Sequence, residues 1–200
     1  IYKWTSSPQG VFGRPPGRVF RSLSPAGPGD PGLITEKGKE CIQRADVIIY
    51  DYLASPALLK YAATSAELIY VGKKGGDHTL SQDEINSLLV DKAQSGGVIT
   101  RLKGGDPFIF GRGGEEAEVL VKAGISFEVV PGVTSAIAAA AYAGIPLTHR
   151  QLTSTLAFVT GHEDPAKTRS SIDWAALKGI GTLVFFMGVK NLPNIVDQLV

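Results

Sequence analysis

The sequence predicts an α/β fold with a largely parallel sheet, and three observations predict it. Six short apolar runs read as strands: VIIY (47 to 50), ELIYVG (67 to 72), VITRLKG (98 to 104), FEVV (127 to 130), LAFVTG (156 to 161) and TLVFFMG (182 to 188). Amphipathic segments with charged faces and helical spacing lie between several of them. Glycine, aspartate and proline gather where the runs end, and parallel α/β sheets bind ligands at the carboxyl ends of their strands.

Taken in order, residues 1 to 16 hold prolines and glycines without periodicity and read as an irregular tail. Residues 17 to 130 read as an N-terminal α/β domain. Its first strand candidate, VFRSLSP, carries Arg21, two serines and Pro25, poor choices for a central strand, and reads as an irregular first strand, an aberrant N-terminus or a frame problem. LITEKGKECIQRA (33 to 45), SQDEINSLLVDKAQSG (81 to 96) and EEAEVLVKAG (115 to 124) are the helix candidates. The character changes after PGVTS, which places a second α/β domain at 131 to 200. It ends inside a helical pattern, and a closing portion is expected beyond it.

Composition narrows the function classes. The chain has 200 residues, 44% of them hydrophobic, enough to close a core. Its formal charge of +1 provides no global field for nucleic acid, and no basic, aromatic-interleaved track appears. The uncharged run from Val129 to Thr148 is broken by Pro131, Gly132, Gly144 and Pro146, and reads as strand, turn, helix and turn rather than a membrane span. No signal peptide is evident, so a cytoplasmic setting is expected. Cys41, the single cysteine, sits in an apolar helical pattern and reads as a buried thiol. His78, His149 and His162 form no metal-ligand pattern, and no metal is expected. GK[ST] and GxSxG are missing, which argues against triphosphate and acyl-transfer sites.

Five stretches carry candidate chemistry. AGPGDPG (26 to 32) is either a tight turn with Asp30 capping a helix or a surface that admits a flat ligand. Asp51 follows an apolar strand and either caps a turn or faces a cleft. Lys73 and Lys74, after the next strand, bind ligand carboxylates or face water. In RLKGGDPFIFGRGGEE, the Gly104, Gly105 and Asp106 turn can expose backbone to a ligand. Arg101 and Arg112 can bind carboxylates bidentately there, or the stretch is a structural crossover whose Glu115 and Glu116 favour a helix start. Thr134 and Ser135 stand before a small-residue helix as capping residues.

Together, AGPGDPG, ADVIIYDYLASP, YVGKKGGDH, RLKGGDPFIFGRGGEE, VVPGVTSAIAAAAYAGIPLTHR, FVTGHE and VFFMGV resemble the tetrapyrrole (precorrin) methylases, in the branch that acts on uroporphyrinogen III. The resemblance runs from about residue 17 to residue 200 with few breaks in spacing. It implies two α/β domains with the active cleft between them, S-adenosyl-L-methionine as cofactor, and a homodimer. It implies methyl transfer to C2 and C7 of uroporphyrinogen III, through precorrin-1 to precorrin-2, on the way to sirohaem, cobalamin or haem d1. Other precorrin C-methyltransferases, or a noncatalytic relative that binds the same ligands, are the alternatives. By the same resemblance Pro28, Gly104, Gly105, Asp106, Ile109, Thr134, Ser135 and Met187 line the cofactor site. Asp51 is then the proton acceptor and Lys73 the proton donor, while Arg101 and Arg112 face the substrate's carboxylates.

Overall fold

A computed structural model describes residues 21–72, 80–163 and 170–200, and the chain divides into two compact units, Ile1–Thr134 and Ser135–Val200. Lys73, the expected proton donor, and its neighbour Lys74 lie outside the described residues.

The first unit is built on a five-stranded sheet in the order β3-β2-β4-β1-β5, with every pairing parallel. Its strands are β1 (Arg21–Pro25), β2 (Val47–Tyr50), β3 (Glu67–Tyr70), β4 (Ile99–Lys103) and β5 (Glu128–Val129). Helices α1 (Glu36–Arg44), α2 (Gln82–Gln94) and α3 (Gly113–Lys122) cover it. Side chains alternate across the sheet, and both faces are apolar. Ile48 and Leu102 pack on one side with Ile42 of α1 and Leu58 of the short 3-10 turn Pro56–Tyr61. Val47, Ile49 and Ile99 pack on the other with Ile85 and Leu89 of α2. Burying each such side chain contributes about 1.5–3 kcal/mol. Connections running one way along the sheet use the α1 face and those running back use the α2 and α3 face, as right-handed crossovers require.

Local signals start the helices. Thr35 accepts from the Gly38 amide at 3.1 Å to begin α1, and Ser81 with Glu84 forms a reciprocal capping box at α2. Asp30 caps the 3-10 turn Pro31–Leu33 rather than α1, accepting from Gly32 at 2.7 Å.

Segment 21–25 overturns the expectation of an irregular first strand. It is a regular strand in the interior of the sheet, paired to β4 along its whole length and to β5 at Ser22 and Leu23. Proline is tolerated at residue 25 for a geometric reason. The Ala26 amide points to β4, donating to the Lys103 carbonyl at 2.6 Å. The alternation of a strand therefore aims the missing Pro25 donor toward β5, past the last residue paired there. Ser22 is buried too, and shares a hydrogen bond with Thr100 at 3.2 Å.

The second unit holds α4 (Ser135–Tyr142), α5 (Trp174–Leu177), α6 (Leu192–Leu199) and the parallel pair β6 (Leu156–Thr160) and β7 (Thr182–Phe186). Phe158 meets Phe186 edge-on at 5.6 Å, and Trp174 stacks on Phe185. Gly161 and Gly188 pack so closely that a Cβ on Gly161 would stand 2.4 Å from the Gly188 Cα.

Candidate active site

Four loops of the first unit meet at the carboxyl ends of its strands. Strands β1 and β4 are neighbours, yet β1 leads to α1 on one face and β4 to α3 on the other. Such divergence opens a crevice at the sheet edge. The turns that leave the two strands touch there: Gly105 donates its amide to the Gly27 carbonyl at 2.8 Å. Both glycines adopt positive φ, 70° and 68°, a conformation that would strain a side chain. Pro28 is half-buried beside this contact, and Gly29, at φ 116°, has open space where a Cβ would stand.

The bareness of RLKGGDPFIFGRGG has a second cause besides ligand access. A Cβ on Gly104 would fall 2.5 Å from that of Leu53, and one on Gly113 would fall 2.3 Å from the Pro107 carbonyl. One on Gly132 would fall 2.2 Å from Pro25. These three glycines let loops pack on one another, and Gly29 leaves backbone bare at the rim.

Asp106 is the staple between two of the loops. Its Oδ1 accepts from Phe108 at 2.8 Å and its Oδ2 from Gly132 at 2.9 Å, tying the turn after β4 to the one after β5. Both carboxylate oxygens are thus engaged by this chain's own amides, although each retains a further acceptor direction. Ile109 is half-buried in the same loop, whose backbone passes through left-handed conformations at Phe110 and Arg112. Thr134 is buried at the end of the first unit.

Asp51 stands at the end of β2 with both oxygens held. Oδ1 accepts from the Leu53 amide at 3.0 Å, and Oδ2 accepts from Arg101 Nη2 at 2.9 Å. Its side chain remains 19% exposed, covered but reachable.

Arg101, expected to face the substrate's carboxylates, turns inward. Its side chain is 4% exposed, and every nitrogen of the guanidinium donates within the unit. Nε reaches Glu116 at 3.1 Å, Nη1 the carbonyls of Leu102 and Ile49, and Nη2 Asp51. Inward burial of a charge is tolerated because each nitrogen has an acceptor and two carboxylates flank it. Lys103, two residues further along the same face of β4, donates to the same Glu116 oxygen at 2.9 Å. Burial, followed by the repulsion of Arg101, pushes its ammonium below the usual lysine value, while Glu116 and Asp51 pull the other way. Glu116 is fully buried, and among the described residues its Oε2 has no hydrogen-bond partner.

Lys103 and Glu116 were missed as site residues, and the signal was available. Arg101 and Lys103 share one face of a buried strand, so they demand an acid from the helix that covers it.

Arg112, by contrast, is accessible, with its side chain 56% exposed. It holds Glu115 bidentately at 2.9 and 2.7 Å. That hydrogen bond raises the Arg112 pKa and lowers the Glu115 pKa.

Ser135 and Met187 belong to the second unit. Ser135 is the first residue of α4, and Met187 follows β7 at φ 56° with an exposed side chain. Among the described residues, no helix is long and apolar enough to cross a membrane.

A parallel sheet with loops converging at its carboxyl edge, a rim of bare glycine backbone and a tethered aspartate define a class. The chain belongs to the family of tetrapyrrole (corrin/porphyrin) methylases, whose model matches residues 25–200. Within it the chain is 58% identical to the uroporphyrinogen-III C-methyltransferase of Priestia megaterium, over 92% of this chain and 76% of that one. It is 56% identical to the S-adenosyl-L-methionine-dependent uroporphyrinogen III methyltransferase of Methanosarcina barkeri, over 92% and 71%. The structure of uroporphyrin-III C-methyl transferase from Thermus thermophilus complexed with S-adenyl homocysteine superposes with a TM-score of 0.75 at 42% identity, over 92% and 75%.

Proposed function

We propose that this chain is an S-adenosyl-L-methionine-dependent C-methyltransferase that methylates uroporphyrinogen III at C2 and C7, through precorrin-1, to give precorrin-2. The observation that carries the reading is the breadth of its likeness to enzymes named for that substrate, which takes in every loop of the candidate site. The proposal includes a homodimer and a cytoplasmic setting.

The residues present fit the cofactor that the family implies, because the adjoining turns at Gly27 to Gly29 and Gly104 to Asp106 offer backbone at a rim where Gly29 faces open space. Pro28, Gly104, Gly105, Asp106, Ile109 and Thr134 would hold it from the first unit. Ser135 and Met187 stay in the cofactor set on the resemblance alone. When bound, S-adenosyl-L-methionine supplies an electrophilic sulfonium methyl group.

The chain's own residues orient the reactants and move a proton. Orientation by itself lowers the barrier to a bimolecular transfer by several kcal/mol, on the order of 7–11 in favourable cases. Asp51 accepts the proton that the macrocycle sheds after methyl transfer, from a position other than the methylated carbon, which is then quaternary, at the carboxylate fixed by Leu53 and Arg101. Arg101 serves Asp51 rather than the substrate. Arg112, exposed at the start of α3, meets a substrate carboxylate, and Lys73 is the proposed proton donor.

The test is anaerobic incubation of the purified chain with uroporphyrinogen III and methyl-labelled S-adenosyl-L-methionine, with products identified by mass and by labelled carbon. Two labelled methyls at C2 and C7 are expected. Label at other ring carbons points to a different precorrin methyltransferase, and cofactor binding without any transfer overturns the enzymatic reading.

A further inference from the structure

We propose that Glu116 is a positioning residue for Asp51 and acts through Arg101. The inference rests on the reading of Asp51 as proton acceptor and deepens it.

Glu116 lies in the first turns of α3, fully buried, and never touches Asp51. Its Oε1 receives Arg101 Nε at 3.1 Å and Lys103 Nζ at 2.9 Å, while its Oε2 has no hydrogen-bond partner among the described residues. For stability alone this is a poor arrangement. A buried charged cluster is usually matched or surpassed by apolar side chains of similar volume, and an orphaned carboxylate oxygen adds a desolvation cost. A helix start needs none of it, because Glu115 already places a carboxylate in the first turn.

What the cluster does achieve is immobility of the guanidinium. Arg101 is held by Glu116 at Nε and by the Leu102 and Ile49 carbonyls at Nη1, which leaves Nη2 aimed at Asp51 Oδ2. The Leu53 amide takes the other Asp51 oxygen, so the carboxylate is gripped on both sides. A proton acceptor must keep a fixed distance and angle to the group it deprotonates, and side chains locked by a supporting shell provide that precision. Among the described residues, the ion-pair cluster that holds Asp51 comprises Arg101 and Lys103 from β4 and Glu116 from α3, two cations against two carboxylates. Lys103 is the second cationic partner of Glu116, whose other partner, Arg101, is shared with Asp51.

The experiment compares Glu116→Gln, Glu116→Asp and Asp51→Asn in the full chain, with rates expressed per site that binds S-adenosylhomocysteine by calorimetry. Glu116→Gln is expected to lower kcat at least tenfold while the KM for uroporphyrinogen III changes less than threefold, and Glu116→Asp to recover most of that loss. If Glu116→Gln does not fold, Lys103→Met/Glu116→Gln, which removes a balanced pair of charges, is read the same way and is expected to show the same kcat loss. Wild-type kcat per binding site in the folded Gln variant, or equal losses in Gln and Asp, overturns the proposal. Asp51→Asn separates the two readings. If it is inactive while the folded Gln variant is not, the positioning role alone fails; if it keeps wild-type kcat, the assignment of Asp51 fails and the positioning role with it.

Discussion

Gly104 and Leu53 sit in contact so close that the loop after β4 forms the floor for the loop after β2. A Cβ added at Gly104 would stand 2.5 Å from the Leu53 Cβ and 3.0 Å from its carbonyl oxygen. Leu53 also donates the amide that fixes Asp51 Oδ1. The glycine therefore sets the position of an aspartate 53 residues before it without touching it. Gly104→Ala is expected to displace the Asp51 loop, lower kcat by more than tenfold and destabilise the chain by about 1–3 kcal/mol, the usual cost of overpacking. Methyl transfer and urea denaturation, measured side by side, check both numbers.

Asp106→Ala releases two backbone amides that the carboxylate now holds. Hydrogen bonds to a charged group contribute about 1.5–3 kcal/mol each when well covered, and these are only partly so. A stability loss of roughly 2 kcal/mol is expected, with weaker binding of S-adenosylhomocysteine by calorimetry because the turns after β4 and β5 come apart. Unchanged affinity in a folded variant would mean that those turns do not carry the cofactor.

Arg112→Ala separates function from stability. Its ion pair with Glu115 is more than half exposed on both sides, and surface pairs of this kind contribute about 0–1 kcal/mol. Thermal unfolding should move little, whereas the KM for uroporphyrinogen III should rise at least fivefold if the guanidinium meets a substrate carboxylate. A KM that stays put removes Arg112 from the substrate site.

Lys103 gives the chain a distinct alkaline behaviour. Its folded pKa lies below the ordinary 10.5, so between the two values the unfolded chain binds more protons at this group. Stability at this site therefore rises with pH through that window. Cys41 works in the opposite sense: burial raises its thiol above 9.0, the folded chain retains a proton the unfolded chain loses, and stability falls as pH climbs past 9.0. Urea midpoints measured from pH 8 to 10.5 should show a more negative slope in Lys103→Met than in wild type, and a more positive one in Cys41→Ala.

The same burial makes Cys41 inert in the native chain. It is 2% exposed, against Glu128 and the buried serines of β1. Iodoacetamide at pH 8 should modify it only as fast as the chain opens, and at once in denaturant. Rapid alkylation under native conditions would contradict the packing of α1 on the sheet.

Much of this was legible in the chain itself, because it depends on neighbours a few residues apart. Short apolar runs located β2 through β7, helical spacing located α1 to α3, and the ordered glycine-rich turns pointed to the family. Tertiary structure decided what local pattern cannot contain. Whether VFRSLSP could enter the middle of the sheet depended on where β5 ends, since only that leaves the Pro25 side without a demand for a donor. Whether Arg101 reached out to a substrate or turned inward depended on Asp51, 50 residues before it, and on Glu116, 15 residues after it. A charge seeks the partner that desolvates it at least cost, and that partner is chosen by the packing of strands and helices rather than by sequence adjacency.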